Sequence, residues 1–159
     1  MRQSRNIDRR VPLLCWLLIA VGLVSLVNLF YPAWHQDWTY DEHAHLAWSL
    51  RLLETRETER TSYFHYASTT PITLLNAVLF RFAQARHWGE PLPKFLARMP
   101  TIGWWLGLVI ATLLFARQYA GEPAASLAAM LVALDPNLAA HGSLVTVDVA
   151  YACMTLLCL

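Results

Sequence analysis

Asp148 is a carboxylate within an otherwise apolar stretch, residues 144–159, that is long enough to enter a membrane. A charge at the centre of a membrane-spanning helix costs about 2.5–3.5 kcal/mol on insertion scales, so an acid in this position indicates a functional site. The alternative is an acid in the outer turn of its helix that reaches the lipid headgroups. A second acidic pair, Asp41 and Glu42, can be placed on the same side of the membrane. The sequence therefore predicts one site to which Asp41, Glu42 and Asp148 contribute.

Three histidines accompany these acids: His43 and His45 follow Asp41, and His141 precedes Asp148. Asp41 and His45 are four residues apart, so on a helix they share one face and could bind a divalent cation. Two ligands do not make a metal site, and His141 or Asp148 would have to complete it. The competing interpretation of His141 is a polar turn residue at the membrane surface.

The acidic pair also has a purely local explanation. Thr39-Tyr40-Asp41-Glu42 fits a capping box, with Thr39 as the N-cap and Glu42 as the third helical residue. Asp41 would then complement the dipole of its helix. A helix N-terminus stabilises the ionised form of a carboxylate, which suits binding of a metal or substrate better than storage of a proton.

The composition is that of a membrane protein. Apolar residues make up 57% of the 159 residues, charged residues only 14%, and the formal net charge is +1. Such a charge gives no indication of nucleic-acid binding. The three cysteines lie in apolar runs and are interpreted as small buried side chains rather than as disulfides or zinc ligands.

The N-terminal half predicts an anchor followed by a long external loop. Residues 11–30 have the length of a membrane-spanning helix, and the basic residues of 1–10 place the N-terminus in the cytoplasm. The chain is expected to turn at Tyr31-Pro32. The loop, residues 31–98, should contain two amphipathic helices, Asp41 to about Glu54 and Ile72 to about Arg86. Thr70 and Pro71 are expected to begin the second of these.

Three further spanning segments are predicted: residues 99–117, residues 123–140 after a turn at Gly121, and residues 143–159 with Ser143 as N-cap. Asp135 is expected to end or cap a helix before Pro136. If the Ile72 helix lies flat on the membrane, Asp41 and Asp148 both reach the external face. If that helix spans, they fall on opposite sides. Its apolar part is only about 8–10 residues long, which favours the flat arrangement, although counting basic residues does not.

The order of these pieces resembles a known family. A basic N-terminus and an anchor precede D-E-H-A-H-L-A at 41–47, R-M-P at 98–100, L-D-P-N-L-A-A-H-G at 134–142 and S-L-V-T-V-D-V-A at 143–150. This pattern resembles the N-terminal part of the multi-spanning GT-C glycosyltransferases, in particular the protein O-mannosyltransferase and aminoarabinose transferase group. The resemblance covers nearly the whole chain.

The resemblance implies an enzyme of the cytoplasmic membrane that transfers a sugar from a polyprenyl-phosphate donor to a lipid or protein acceptor on the external face. Asp41 would bind or deprotonate the acceptor hydroxyl, with Glu42 as its motif partner and Asp148 as a second acid. Arg98 matches the family's R-x-P pattern and would contact the donor, with His45 and His141 as further substrate-binding residues. A divalent metal ion is one cofactor that this site could hold.

Two departures from the family pattern affect these expectations. The segment 63–71 keeps the family's proline, Pro71, while its acidic or histidine position has only His65 as a candidate. The family has many more spans, so the chain has the appearance of a fragment, and we expect no transfer from residues 1–159 alone.

Two other classes of function compete with the transferase. One is a non-catalytic membrane scaffold, or a truncated gene product, with the same helical framework. The other is a small metal- or haem-binding membrane subunit that uses His43, His45 and His141. The second is the weaker, because none of the predicted spans carries a histidine in its interior.

Overall fold

The computed structural model describes residues 7–56 and 71–159, and only the backbone of residues 7–15, 17 and 18. In the described stretches every secondary-structure element is a helix and there is no strand, which confirms the all-α prediction. The elements are α1 (Ile7–His35), α2 (Tyr40–Thr55), α3 (Leu74–Ala85), α4 (Leu92–Leu134), α5 (Pro136–Gly142) and α6 (Asp148–Leu157), with a 3₁₀ turn, Pro71–Thr73, before α3. Residues 1–6, the predicted cap Thr70 and the segment around His65 lie outside the described residues.

The first helix is longer than the predicted span of residues 11–30, and it does not turn at Tyr31-Pro32. Pro32 has no N–H to donate, but its own carbonyl accepts from Gln36 N at 2.8 Å, and the helix continues to His35. A proline removes only one helical hydrogen bond. Tertiary contacts with the last turn of α1, described below, stabilise this extension.

The helix α2 begins as the sequence predicts. Thr39 is in the extended conformation, its hydroxyl accepts from Glu42 N, and the Glu42 carboxylate accepts from Thr39 N at 3.0 Å. Both halves of the capping box are therefore present. Helix α3 follows the 3₁₀ turn, and residues 86–91 lead from it into α4.

The helix α4 contains a sharp break at Gly121. This residue has φ 80° and ψ 175°, a backbone conformation that is open to glycine and strained for other residues. The predicted turn at this point is thus a break between two helical segments that run on either side of it. The first segment already begins at Leu92, before the predicted start at 99, and Pro100 lies within it.

The chain after α4 differs most from the prediction. Asp135 caps α5, because its carboxylate accepts from Asn137 N and Leu138 N, both at 2.9 Å, and this confirms its expected capping role. The helix predicted to span residues 123–140, which is the second part of α4, therefore ends at Leu134. Ser143 is the C-cap of α5, not the N-cap of the last helix, and α6 begins only at Asp148. Residues 143–147 form a loop in which Leu144 N donates to His141 O of α5 and Val145 N donates to the Glu42 side chain of α2.

The core lies where α1, α4 and α6 meet. Trp105 of α4 is 2% exposed and packs with Leu29 of α1 and with Val149 and Cys153 of α6. The absence of a side chain at Gly142 lets the backbone of α5 pack closely on Trp105 and Leu29. A Cβ atom at this position would lie 2.8 Å from Trp105 Cδ1 and 3.0 Å from Leu29 Cδ2. The end of α5 is thereby held directly against the core.

Within the described residues, one helix, Leu92–Leu134, is long and apolar enough to cross a membrane. Two shorter apolar helices, Ile19–His35 and Asp148–Leu157, accompany it. The four crossings expected from the sequence stay a prediction.

Candidate functional site

Glu42 and Arg98 form an ion pair whose side chains are completely buried. Arg98 Nε donates to Glu42 Oε1 at 2.8 Å, and Arg98 Nη2 donates to Glu42 Oε2 at 2.7 Å. The two planar groups thus meet through two parallel hydrogen bonds, the strongest geometry available to this pair of residues. The residues are 56 positions apart, so this contact joins the start of α2 to α4.

The rest of the Arg98 guanidinium closes the C-terminal end of α1. The last carbonyls of a helix lack partners within the helix and carry partial negative charge, and a cation there is favourable. The Trp38 indole lies over the guanidinium, 5.5 Å from ring centroid to Arg98 Cζ. Nη1 and Nη2 donate to four backbone carbonyls, those of Pro32 (3.3 Å), Ala33 (3.0 Å), Gln36 (2.9 Å) and Asp37 (3.2 Å). Every N–H of Arg98 is therefore engaged within the protein.

Glu42 also connects the first loop to the segment before α6. Its Oε1 atom accepts from Val145 N at 2.9 Å, across 103 positions of sequence. Together with the capping bonds to Thr39, each carboxylate oxygen accepts two or more hydrogen bonds. We call the end of the bundle formed by residues 36–42, 92–98 and 141–148 the polar end.

The geometry gives Glu42 and Arg98 structural roles. Neither side chain reaches solvent, and no N–H of Arg98 is available for a phosphate oxygen. The roles predicted for them, a catalytic acid and a donor ligand, would each require breaking this buried pair. Burial of a charge without its partner is costly, so a substrate could not take the place of either residue at low cost.

Asp41 and His45 lie on the same helix but in different environments. Asp41 is an exposed residue in the first turn of α2, where its charge is favourable to the helix dipole. His45 is buried at 7% exposure. The pair predicted to share a metal ligand face is thus divided between solvent and the protein interior.

His141 and Asp148 lie in direct contact at the polar end. Nδ1 of His141 is 2.9 Å from Oδ2 of Asp148, and the two side chains are 51% and 62% exposed. Asp148 is the first residue of α6 rather than a residue one turn inside it, so its charge lies at the helix end and not within an apolar interior. The sequence pointed to both residues separately, and only the fold pairs them.

The polar end contains a second cation, Lys94, which the sequence did not distinguish from other basic residues. The Lys94 side chain is only 9% exposed, and its ammonium lies 3.4 Å from Oδ1 of the fully exposed Asp37. Lys94 lies in the first turn of α4. No spacing in the sequence signals its burial.

The described ranges, 7–56 and 71–159, contain no group of three His, Cys, Asp or Glu side chains placed to hold a metal ion. What the polar end offers chemically is an exposed carboxylate on α2 and an exposed imidazole–carboxylate pair between α5 and α6. The hydrogen bond from Val145 N to Glu42 Oε1 joins the two segments that carry these groups.

Comparison of the chain with protein-family models, with curated proteins and with solved structures finds no match.

Proposed function

We propose that this chain is the N-terminal portion of a membrane glycosyltransferase of the GT-C type. It would move a sugar from a polyprenyl-phosphate donor to a hydroxyl-bearing acceptor on the external membrane face. The observation that carries the proposal is the hydrogen bond from Val145 N to Glu42 Oε1. It ties the D-E-H-A-H-L-A segment to the segment that carries His141 and Asp148, as one external site requires.

The distribution of side chains supports a membrane location. Large apolar residues are exposed along α1, both parts of α4 and α6, for example Leu23 (60%), Ile110 (55%), Leu131 (65%) and Leu157 (66%). The interior carries polar contacts: Asn76 Nδ2 donates to Ala97 O at 2.7 Å. Apolar residues outside and satisfied polar groups inside are what a lipid environment demands. In this proposal α1, the two parts of α4 and α6 cross the bilayer, with the polar end outside.

The site chemistry follows from exposure. The Asp41 carboxylate is exposed at the surface of the polar end, where it would bind the acceptor hydroxyl. Glu42 and Arg98 would act indirectly, by holding the two segments together. The donor phosphate would need a cation other than Arg98. Lys94, a largely buried cation one turn before Arg98 in α4, is the candidate.

A non-catalytic membrane scaffold is the second candidate, and one observation favours it. The motif residues Glu42 and Arg98 are completely buried and satisfied by the protein itself, as in a purely structural element. A scaffold would retain this pair and would tolerate changes of Asp41.

The experiment measures transfer of a labelled sugar from a polyprenyl-phosphate donor by the full-length gene product in its own membranes. Asp41→Asn should abolish transfer while leaving insertion unchanged. Gln36→Asn, a polar change at a neighbouring exposed residue, serves as the control and should keep transfer. Full transfer by the Asp41→Asn protein would exclude Asp41, and absence of transfer by the wild-type protein would favour the scaffold.

Topology is tested by labelling single cysteines with a membrane-impermeant reagent, in a background without Cys15, Cys153 and Cys158. Cysteines at positions 89 and 137, both exposed, should react from outside. A cysteine at position 118, near the break in α4, should react only after the membrane is opened. Labelling of positions 89 and 137 from opposite sides would contradict the proposed single external site.

A further inference from the structure

His141 and Asp148 have the geometry of a histidine oriented by a carboxylate. The 2.9 Å contact joins Nδ1 to Oδ2, and an ionised carboxylate can only accept, so Nδ1 carries the hydrogen. In the neutral imidazole the lone pair then lies on Nε2. Because the His141 side chain is 51% exposed, this nitrogen is open to a ligand from solvent.

The surroundings hold the pair in place. His141 is in the last turn of α5, and its backbone carbonyl accepts from Thr146 Oγ1 at 3.1 Å. The next residue, Gly142, is packed against Trp105 and Leu29 of the core. Three residues before Asp148, the amide of Val145 donates to the buried Glu42 carboxylate. Both ends of the loop between the two side chains are thus fixed on buried groups.

We propose that His141 is the proton acceptor of the transfer reaction and that Asp148 is a positioning residue acting through it. This inference rests on the proposed function and deepens it. Imidazole is a stronger base than a carboxylate. Asp41, a carboxylate in the first turn of α2, therefore binds the acceptor hydroxyl, and the imidazole takes its proton.

The step balances within the named groups. The acceptor O–H proton moves to Nε2 of His141 as the acceptor oxygen forms a bond to the anomeric carbon of the sugar. The bond from that carbon to the phosphate oxygen breaks, and its electron pair leaves with the polyprenyl phosphate. His141 becomes an imidazolium, whose Nδ1–H still donates its hydrogen bond to Asp148. The proton on Nε2 is then released to water.

Two measurements test this on the full-length protein. The first is the nitrogen NMR spectrum of ¹⁵N-histidine-labelled protein in nanodiscs, in which the resonances of His141 are assigned by their loss in His141→Gln. It should show hydrogen on Nδ1 and a bare Nε2, and Asp148→Asn should redistribute the hydrogen between the two nitrogens. A wild-type His141 that carries its hydrogen on Nε2 would overturn the inference and leave the proposed function intact.

The second measurement is transfer kinetics. His141→Gln should lower kcat by about 10²-fold or more with little change in KM, because general base catalysis contributes this much to the chemical step. Asp148→Asn should lower kcat in the same direction, and Asp148→Glu should retain more activity than Asn. His35→Gln, at an exposed histidine whose ring centroid lies 4.5 Å from that of Tyr31, is the control and should keep kcat.

The outcomes separate the two proposals. Transfer by the wild type with unchanged kcat in His141→Gln overturns the role of His141 and leaves the transferase standing. Absence of transfer by the wild type overturns both.

Discussion

Removing the charge of Glu42 should lower the free energy of unfolding far more than removing the charge of an exposed glutamate does. Glu42→Gln keeps an oxygen that can accept from Val145 N, but its amide nitrogen cannot accept from Thr39 N and Arg98 Nη2 as Oε2 does, so the substitution removes the charge opposite Arg98 together with these bonds. Breaking a buried ion pair by removing one partner costs about 3–5 kcal/mol, because the remaining charge is buried without compensation. The free energy of unfolding of a typical domain is about 5–15 kcal/mol, so the loss would be a large part of the total.

The chain supplies a matched control in Glu54 and Arg81. Arg81 Nη2 lies 2.8 Å from Glu54 Oε1, almost the same distance as in the buried pair, but the side chains are 52% and 49% exposed. Exposed pairs contribute about 0.2–1 kcal/mol, so Glu54→Gln should be nearly neutral. The two substitutions are chemically identical and differ in the burial of the site and in the hydrogen bonds that the carboxylate accepts there.

The assay is reversible unfolding in detergent micelles, followed by far-ultraviolet circular dichroism. Arg98→Met should cost at least as much as Glu42→Gln, because it also leaves the carbonyls at the end of α1 without donors. The double variant should cost less than the sum of the two single variants, with an interaction free energy of about 0.5–3 kcal/mol. Equal effects of Glu42→Gln and Glu54→Gln would refute the reasoning that burial makes this pair structurally decisive.

Two further predictions concern the segment around α5. Gly142→Ala should lower the free energy of unfolding by about 1–3 kcal/mol, since the added methyl would lie 2.8 Å from Trp105 Cδ1. The control is Gly103→Ala in α4, where an added Cβ has no neighbour within 4 Å, and it should be neutral or stabilising by up to about 1 kcal/mol. Thermal unfolding of the two variants makes the comparison. Asp135→Ala should cost about 1 kcal/mol by removing the cap of α5, whereas Asp135→Asn, which keeps a capping oxygen, should cost less, and equal losses for the two would argue against the cap.

The local features of the fold could be read from the sequence because each depends on a few neighbouring residues. Thr39 and Glu42 are three positions apart, and this spacing alone is sufficient for a capping box. Asp135 before Pro136 likewise predicts a capping residue, which the structure contains, although the predicted span ran on to residue 140. Gly121 predicts a break, because few other residues adopt its backbone conformation. The apolar periodicity further identifies helices, and the elements found are all helical.

The sequence by itself determined that the chain is helical, where α2 begins, where α4 breaks, and which acids and histidines are rare enough in an apolar chain to attract attention. Only the tertiary structure decided what those residues do. Arg98 reaches across 56 positions to Glu42, and Val145 N across 103, so neither contact leaves a local signal. The same contacts explain two of the boundaries that the sequence misplaced, the end of α1 and the start of α6. The carbonyls after Pro32 are satisfied by Arg98 instead of ending the helix, and residues 143–147 stay out of α6 because one of their amides is held by a buried carboxylate. A buried backbone N–H or C=O group forms a hydrogen bond with a partner that the tertiary fold places beside it, and the neighbouring residues in the sequence do not identify that partner.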